Sequence, residues 1–220
     1  VSQMAFRWLD MDNFPRRAHF EYFSGLAYPY VGTTANVDIT GALKRIKEEK
    51  LPFFLTICYC AARAANGVPE LRQRIKEGRI VEFNQCRVSH TVALEDGTFC
   101  YCTLENEPAL AAYLESGRKT QEEAKRKASI EEDPDESLEK FFVSSLPWLS
   151  YTALIQPVPS PADSNPRITF GKYFTQGERV LMPVTLLCNH ALVDGRHIAA
   201  FYHGMERELA AVSAGPEGEA

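Results

Sequence analysis

Between Pro52 and Asn66 the chain runs fifteen residues with a single charge, Arg63. The segment Pro52-Phe-Phe-Leu-Thr-Ile-Cys-Tyr-Cys-Ala-Ala-Arg-Ala-Ala-Asn66 is apolar nearly all round, and Asn66-Gly67 supplies a helix end. It predicts a helix that other layers must bury on most sides. A shorter helix is expected over Arg16 to Phe23, inside a 36-residue opening that is aromatic-rich and broken by Pro15, Pro29 and Gly32. Asp38-Ile39-Thr40 opens another, with Asp38 or Thr40 as its cap and Ala42, Leu43 and Ile46 on its apolar stripe. Charged, helix-prone residues from about Glu107 to Ala128 carry Leu110, Tyr113 and Leu114 on one face. The acidic run from Glu131 to Glu136 is expected as a solvated loop.

From Arg79 the hydrophobic period changes to two. Ile80, Val81 and Phe83, then Val88 to Leu94, then a Glu95-Asp96-Gly97 turn into Thr98 to Cys102 predict a β-meander. After Phe141 the chain is again β-rich through Trp148 to Tyr151, before a connection from Pro157 to Pro166 that holds four prolines. Strands at Ile168–Phe174 and Val180–Cys188 follow, then a helix from Arg196 to about Val212 and a tail over 213–220. Strands and helices intermix without regular βαβ alternation and without repeats. The expectation is one α+β domain over 1–220 with a mixed sheet.

Composition excludes several classes. A net charge of -5 leaves no basic footprint for nucleic acid or an anionic membrane, although a local basic pocket for a phosphate-bearing ligand is compatible with it. No stretch of about 18 apolar residues occurs and Val1 to Phe6 lacks a secretion signal, so a cytoplasmic protein is expected. The six Cys, at 58, 60, 86, 100, 102 and 188, form two Cys-Tyr-Cys triplets instead of Cys-x-x-Cys pairs, and no His pair accompanies them. Reduced, buried thiols and no metal are the expectation.

Of the five His, only His190 stands where an apolar strand, Val184 to Cys188, runs out into an Asp194-Gly195 turn before a helix. An imidazole titrates near neutrality, so one held there can take a proton from an alcohol and return it to a leaving thiolate. The alternative is a structural histidine. Asp194 can cap the helix, or it can lock the turn by an ion pair with an arginine from elsewhere, Arg16 and Arg17 being candidates.

The segment His190-Ala191-Leu192-Val193-Asp194-Gly195-Arg196-His197 resembles the active-site signature of chloramphenicol acetyltransferases. Phe14-Pro15-Arg16-Arg17-Ala18-His19-Phe20-Glu21 resembles that family's amino-terminal segment, and Val143-Ser144-Ser145-Leu146-Pro147-Trp148 its serine loop. Ile168 to Tyr173 and Leu181-Met182-Pro183 resemble the strand pair leading into the histidine, so the likeness spans about Phe6 to about Leu209.

The resemblance implies a two-layer sandwich with a mixed sheet, a homotrimer with active sites between subunits, and acetyl transfer from acetyl-coenzyme A to a hydroxyl of chloramphenicol or a similar small acceptor. His190 would be the general base, Ser144 an oxyanion donor, Thr169 the holder of a water beside the intermediate, and Arg16 the partner of Asp194. Trp148, Lys172 and Tyr173 match positions lining the coenzyme tunnel, and Tyr22, Phe23 and Phe99 match positions around the acceptor. On residue type alone, Ser144 could be a surface hydroxyl and the tunnel residues ordinary strand residues.

The chain also departs from the family pattern. Asn189 stands where a second histidine is usual, and Pro29, Val31, Gln156 and Arg167 fall near acceptor positions that are apolar or differently shaped in the resistance enzymes. A buried Gln or Arg needs a polar partner, which points toward a different acceptor. Two other classes are compatible with parts of the pattern. One is the acyltransferase core of a 2-oxo acid dehydrogenase complex using dihydrolipoamide, against which stands the lack of a lipoyl segment before Met4. The other is a non-catalytic binding module on the same fold.

Overall fold

The computed structural model describes residues 5–131 and 134–216. In chain order its elements begin with β1 (Phe6–Trp8), α1 (Arg17–Ser24), β2 (Tyr30–Asp38), α2 (Thr40–Glu48) and α3 (Phe53–Asn66). A 3-10 turn (Pro69–Arg72) leads to β3 (Gln73–Lys76), β4 (Arg79–Phe83), β5 (Arg87–Ala93), β6 (Phe99–Leu104) and α4 (Leu110–Lys127). The remainder is α5 (Pro134–Ser137), β7 (Lys140–Leu146), β8 (Arg167–Gly171), β9 (Phe174–Gln176), β10 (Arg179–Asn189) and α6 (Gly195–Ala214).

Seven strands form a mixed sheet in the order β2-β10-β8-β7-β5-β6, with β9 beside β10. β7 is parallel to both β5 and β8, and the other pairings are antiparallel. α3 packs on the sheet through Phe54 against His90 and Phe170, and α4 through Gln121 against His90, forming the helix layer that the family resemblance implies. The apolar α3 is the centre of that layer: Leu55, Ile57, Cys58, Cys60, Ala61 and Ala65 are each 1 % exposed or less. It lies against α6 so closely that a Cβ added at Gly204 would sit 3.2 Å from the Ala64 Cβ. Only glycine gives that approach at no cost in packing.

The Cys-Tyr-Cys triplets fall on different elements. Cys58 and Cys60 are on α3, Cys100 and Cys102 share the buried face of β6, and all six thiols are free and buried. Burial pushes the Cys58 thiol well above its ordinary range, which keeps it protonated and inert.

Several local expectations change. The predicted meander does not form, because β4 pairs with β1 and β3 in a separate three-stranded sheet while β5 and β6 make a hairpin at the edge of the large one. Period two reports exposure of one face and says nothing about which strand lies alongside. The β-rich reading through Tyr151 also stops short, since β7 ends at Leu146 and residues 147–151 leave the strand and fold back over β8. α2 takes Ile39 at its cap position; Asp38 Oδ1 instead accepts from the Thr40 N–H at 2.9 Å, and Thr40 Oγ1 accepts from the Val180 N–H at 2.8 Å. α6 continues two residues past the expected Val212, and residues 217–220 of the tail lie outside the described residues. So do Met4 and 132–133 of the acidic run, whose residues 134–136 fall in the short α5 rather than in a loop.

Candidate active site

β10 stops at Asn189, and the chain turns sharply through His190 to Asp194 before α6 begins. Asn189 builds this turn: its Oδ1 accepts from the Ala191 N–H at 3.0 Å and its carbonyl from the Val193 N–H at 3.1 Å. Its Nδ2 donates 2.9 Å to the Asp163 carbonyl, tying the turn to the Pro-rich connection. The residue that departs from the family pattern is therefore a structural pin.

The His190 N–H donates to the Pro29 carbonyl at 2.7 Å, and its ring nitrogen Nδ1 lies 2.8 Å from the Val193 carbonyl. A carbonyl only accepts, so the neutral ring carries its proton on Nδ1 and leaves the Nε2 lone pair free. Phe23 stacks on the ring at a centroid distance of 3.8 Å and an interplanar angle of 14°. Two constraints therefore hold one half-buried imidazole.

Asp194 does both jobs the sequence left open. It caps α6, accepting from the Arg196 N–H at 3.0 Å, and its Oδ2 lies 3.4 Å from Arg16 Nε. Arg16 also donates Nη1 to the Leu192 carbonyl, so one guanidinium grips the turn at its middle and at its end. Burial raises the Asp194 carboxyl, but His197, the Arg196 N–H and Arg16 together outweigh it and hold the group below the ordinary range. His197, only 5 % exposed, completes the turn by accepting the Asp194 N–H on Nδ1 at 3.1 Å, and its Nε2 lies 3.5 Å from Glu70. Arg17 points elsewhere, to Asp12 and Glu21.

Ser144 and Thr169 form a second group. They are register partners on the parallel strands β7 and β8, with hydroxyl oxygens 3.0 Å apart. Thr169 pairs in turn with Thr185 on β10, and Thr185 with Thr34 on β2, so one row of hydroxyls crosses four strands. Thr34 and Thr185 are 2.7 Å apart at their oxygens. Tyr151 supports the row from outside the strands, donating 2.9 Å to the Thr169 carbonyl and accepting from Thr185 Oγ1 at 3.3 Å.

A cavity of about 560 Å³ opens beside Ser144 and Thr169, with Phe142, Tyr101, Gln156 and Arg167 among its walls. Phe99 is not among the walls, its ring lying 5.9 Å from that of Tyr101, and Tyr22 is 66 % exposed on α1. Arg167 has the polar partner the sequence demanded: Nη1 and Nη2 bind Asp163 at 2.8 and 2.7 Å, and the same carboxylate accepts from the Tyr30 hydroxyl at 2.9 Å. Burial and the Asp163 charge push that phenol up to about 12, so it remains a donor.

The two groups do not meet within one chain. His190 stands one residue past the end of β10, four strand positions (roughly 13 Å) and a turn beyond Thr185, and it is not among the walls of the cavity. A general base must come within about 3 Å of the proton it takes, directly or through one water.

Trp148, Lys172 and Tyr173 gather just past the ends of β7 and β8, where the Lys172 N–H donates 2.7 Å to the Leu149 carbonyl. Trp148 is 77 % exposed, Lys172 is exposed, and Tyr173 packs on Phe53 at 5.6 Å. Among the described residues no cluster of His, Cys, Asp and Glu could hold a metal ion, and no helix is long and apolar enough to cross a membrane.

A sequence model of the family described as chloramphenicol acetyltransferase matches residues 4–206. The chain belongs to the chloramphenicol acetyltransferase family. A relative of that name from Klebsiella sp is 31 % identical over 202 residues, covering 90 % of this chain and 91 % of its own. Another from Proteus mirabilis is 28 % identical over 205 residues, covering 90 % and 92 %. A solved chloramphenicol acetyltransferase superposes with a TM-score of 0.84 at 24 % identity, over 93 % of this chain and all of its own. The cubic core of the pyruvate dehydrogenase multienzyme complex follows at 0.65 and 18 %, over 90 % and 88 %, which is a likeness of fold.

Sequence reasoning missed Tyr151, Thr185, Thr34 and Asp163. Thr185 carried a signal, a polar residue inside the apolar run Val184–Cys188. Tyr151 carried none, since its role depends on how residues 147–151 fold back across β8.

Proposed function

We propose that this enzyme transfers the acetyl group of acetyl-coenzyme A to a hydroxyl of chloramphenicol or a similar small acceptor, acting as a cytoplasmic homotrimer whose subunits are each one domain with a core of about 6–209. The observation that carries the reading is the pairing of a tautomer-fixed His190 with a Ser144–Thr169 hydroxyl pair at a cavity, the two separated within one chain. Separation inside one copy calls for a neighbour, and in a closed ring each copy lends His190 to the next.

The acceptor enters the cavity beside Ser144 and Thr169. His190 Nε2 takes the proton of its hydroxyl as the oxygen attacks the thioester carbonyl, with no acyl-enzyme formed. Ser144 donates to the oxyanion of the tetrahedral intermediate, a contact worth roughly 3 kcal/mol in the transition state. Thr169 holds a water beside it. As the carbon–sulfur bond breaks, the imidazolium returns its proton to the sulfur, leaving an acetyl ester and free coenzyme A. Arg16 and Asp194 keep the turn, and so the imidazole, in place. Exposed Trp148 and Tyr173 offer faces to the pantetheine or adenine, and Lys172 a charge to a phosphate. Tyr22, Phe23 and Phe99 would enclose the acceptor once subunits meet.

The test is to incubate the purified protein with acetyl-coenzyme A and chloramphenicol and follow thiol release. Release that depends on chloramphenicol and is lost in His190→Ala is expected. No release above background, with the variant behaving identically, defeats the reading for this acceptor, and a screen of other alcohols with labelled acetyl-coenzyme A then decides the acetyltransferase reading itself.

A further inference from the structure

Gln156 lines the cavity beside the Ser144–Thr169 pair, and its amide is only half engaged. Oε1 accepts a long bond of 3.4 Å from Thr169 Oγ1, while Nε2 is buried and has no partner among the described residues. Buried side-chain donors are nearly always bonded, so a lone N–H pair next to reacting groups marks a place for an oxygen that the chain itself does not supply.

The rest of the wall decides what kind of molecule brings that oxygen. Arg167 is the cationic wall residue, and both its outer nitrogens are committed to Asp163, whose charge it balances. His90 turns its ring to the other side of the sheet, against Phe54 and Gln121, and brings no charge to the cavity. Among this copy's walls an anionic acceptor would meet no free positive charge. Phe142, Leu146 and Leu154 supply the apolar remainder.

Resting on the acetyltransferase reading above, we infer that Gln156 selects the acceptor: a neutral, largely apolar alcohol carrying a hydrogen-bond-accepting oxygen, such as an amide carbonyl or second hydroxyl, that receives Gln156 Nε2 while the reacting hydroxyl lies at Ser144 and Thr169. An apolar side chain at this place would only fill space. An amide discriminates, because an acceptor without the oxygen leaves the donor stranded.

The experiment compares three aryl alcohols as acetyl acceptors: one with a side-chain amide, one with that amide replaced by an alkyl chain of equal length, and one with a carboxylate there. kcat/KM is measured for the wild type, Gln156→Leu and Gln156→Glu, with His190→Ala as the chemistry control and thermal melting to verify folding. The wild type is expected to prefer the amide over the alkyl alcohol by roughly 10- to 100-fold and to use the carboxylate poorly. Both Gln156 variants should collapse the amide-to-alkyl ratio toward one, Leu by removing the donor and Glu by replacing it with an acceptor. An unchanged ratio in folded variants, as would follow if water satisfied Nε2, overturns the role of Gln156. Wild-type use of the carboxylate as readily as the amide overturns the neutral class. Transfer to none of the three, equal to His190→Ala, counts instead against the acetyltransferase reading.

Discussion

Phe23 lies flat on His190, ring centroids 3.8 Å apart and planes within 14°. With Nδ1 bonded to the Val193 carbonyl, that contact leaves the imidazole one orientation. Phe23→Leu keeps the bulk and loses the flat surface. An aromatic pair contributes about 0.5–1.5 kcal/mol beyond its area, so kcat should fall about 2- to 10-fold with little change in melting temperature. Steady-state kinetics on the purified variant measure it.

Arg16 grips the turn by two different atoms, Nη1 on the Leu192 carbonyl and Nε toward Asp194. Lysine has one nitrogen and cannot make both contacts. Arg16→Lys is therefore expected to cost at least ten-fold in kcat, and Arg16→Met more. A kcat within two-fold of wild type in Arg16→Lys would show that the charge alone is what the turn needs.

His90 is 2 % exposed, and burial lowers its pKa from 6.5 to about 4. Between those values the unfolded chain binds a proton that the folded one refuses. Stability is thus fully present above pH 6.5 and is lost as pH falls toward 4, by about 3 kcal/mol at most. His197, also lowered by burial against Glu70 and Asp194, acts in the same direction. Urea unfolding of wild type and His90→Gln at pH 7.5 and pH 5 should show the smaller drop in the variant, whatever its stability at neutrality.

If His190 serves the cavity of a neighbouring copy, two dead variants can repair each other. His190→Ala and Ser144→Ala, unfolded together, mixed equally and refolded, should regain activity at about a quarter of the sites by random pairing in a closed ring. Mixing without subunit exchange should regain none. Recovery absent after refolding, with trimers seen by sedimentation, would mean that each site draws both residues from one chain.

Much of the fold was legible because it depends on local pattern. The burial of Pro52–Asn66, the cap at Asp194, the strand running into His190 and the helices at Leu110–Lys127 and Gly195–Ala214 follow from periodicity and turn chemistry that neighbours along the chain decide. Strand pairing is a long-range choice, and so the meander expected from Arg79 onward was replaced by two separate sheets.

The site divides in the same way. By itself the sequence placed His190 at the end of a strand, supplied Asp194 to cap the next helix, and set Ser144 and Thr169 on strands. Only tertiary structure brought Arg16 across 176 residues to the Leu192 carbonyl, aligned Ser144, Thr169, Thr185 and Thr34 in one row, and matched Arg167 with Asp163 while leaving Gln156 Nε2 without a partner. Those relations are register and three-dimensional proximity. A one-residue slip in any strand would turn each hydroxyl to the other face of the sheet, and local residue preferences carry little information about such a slip.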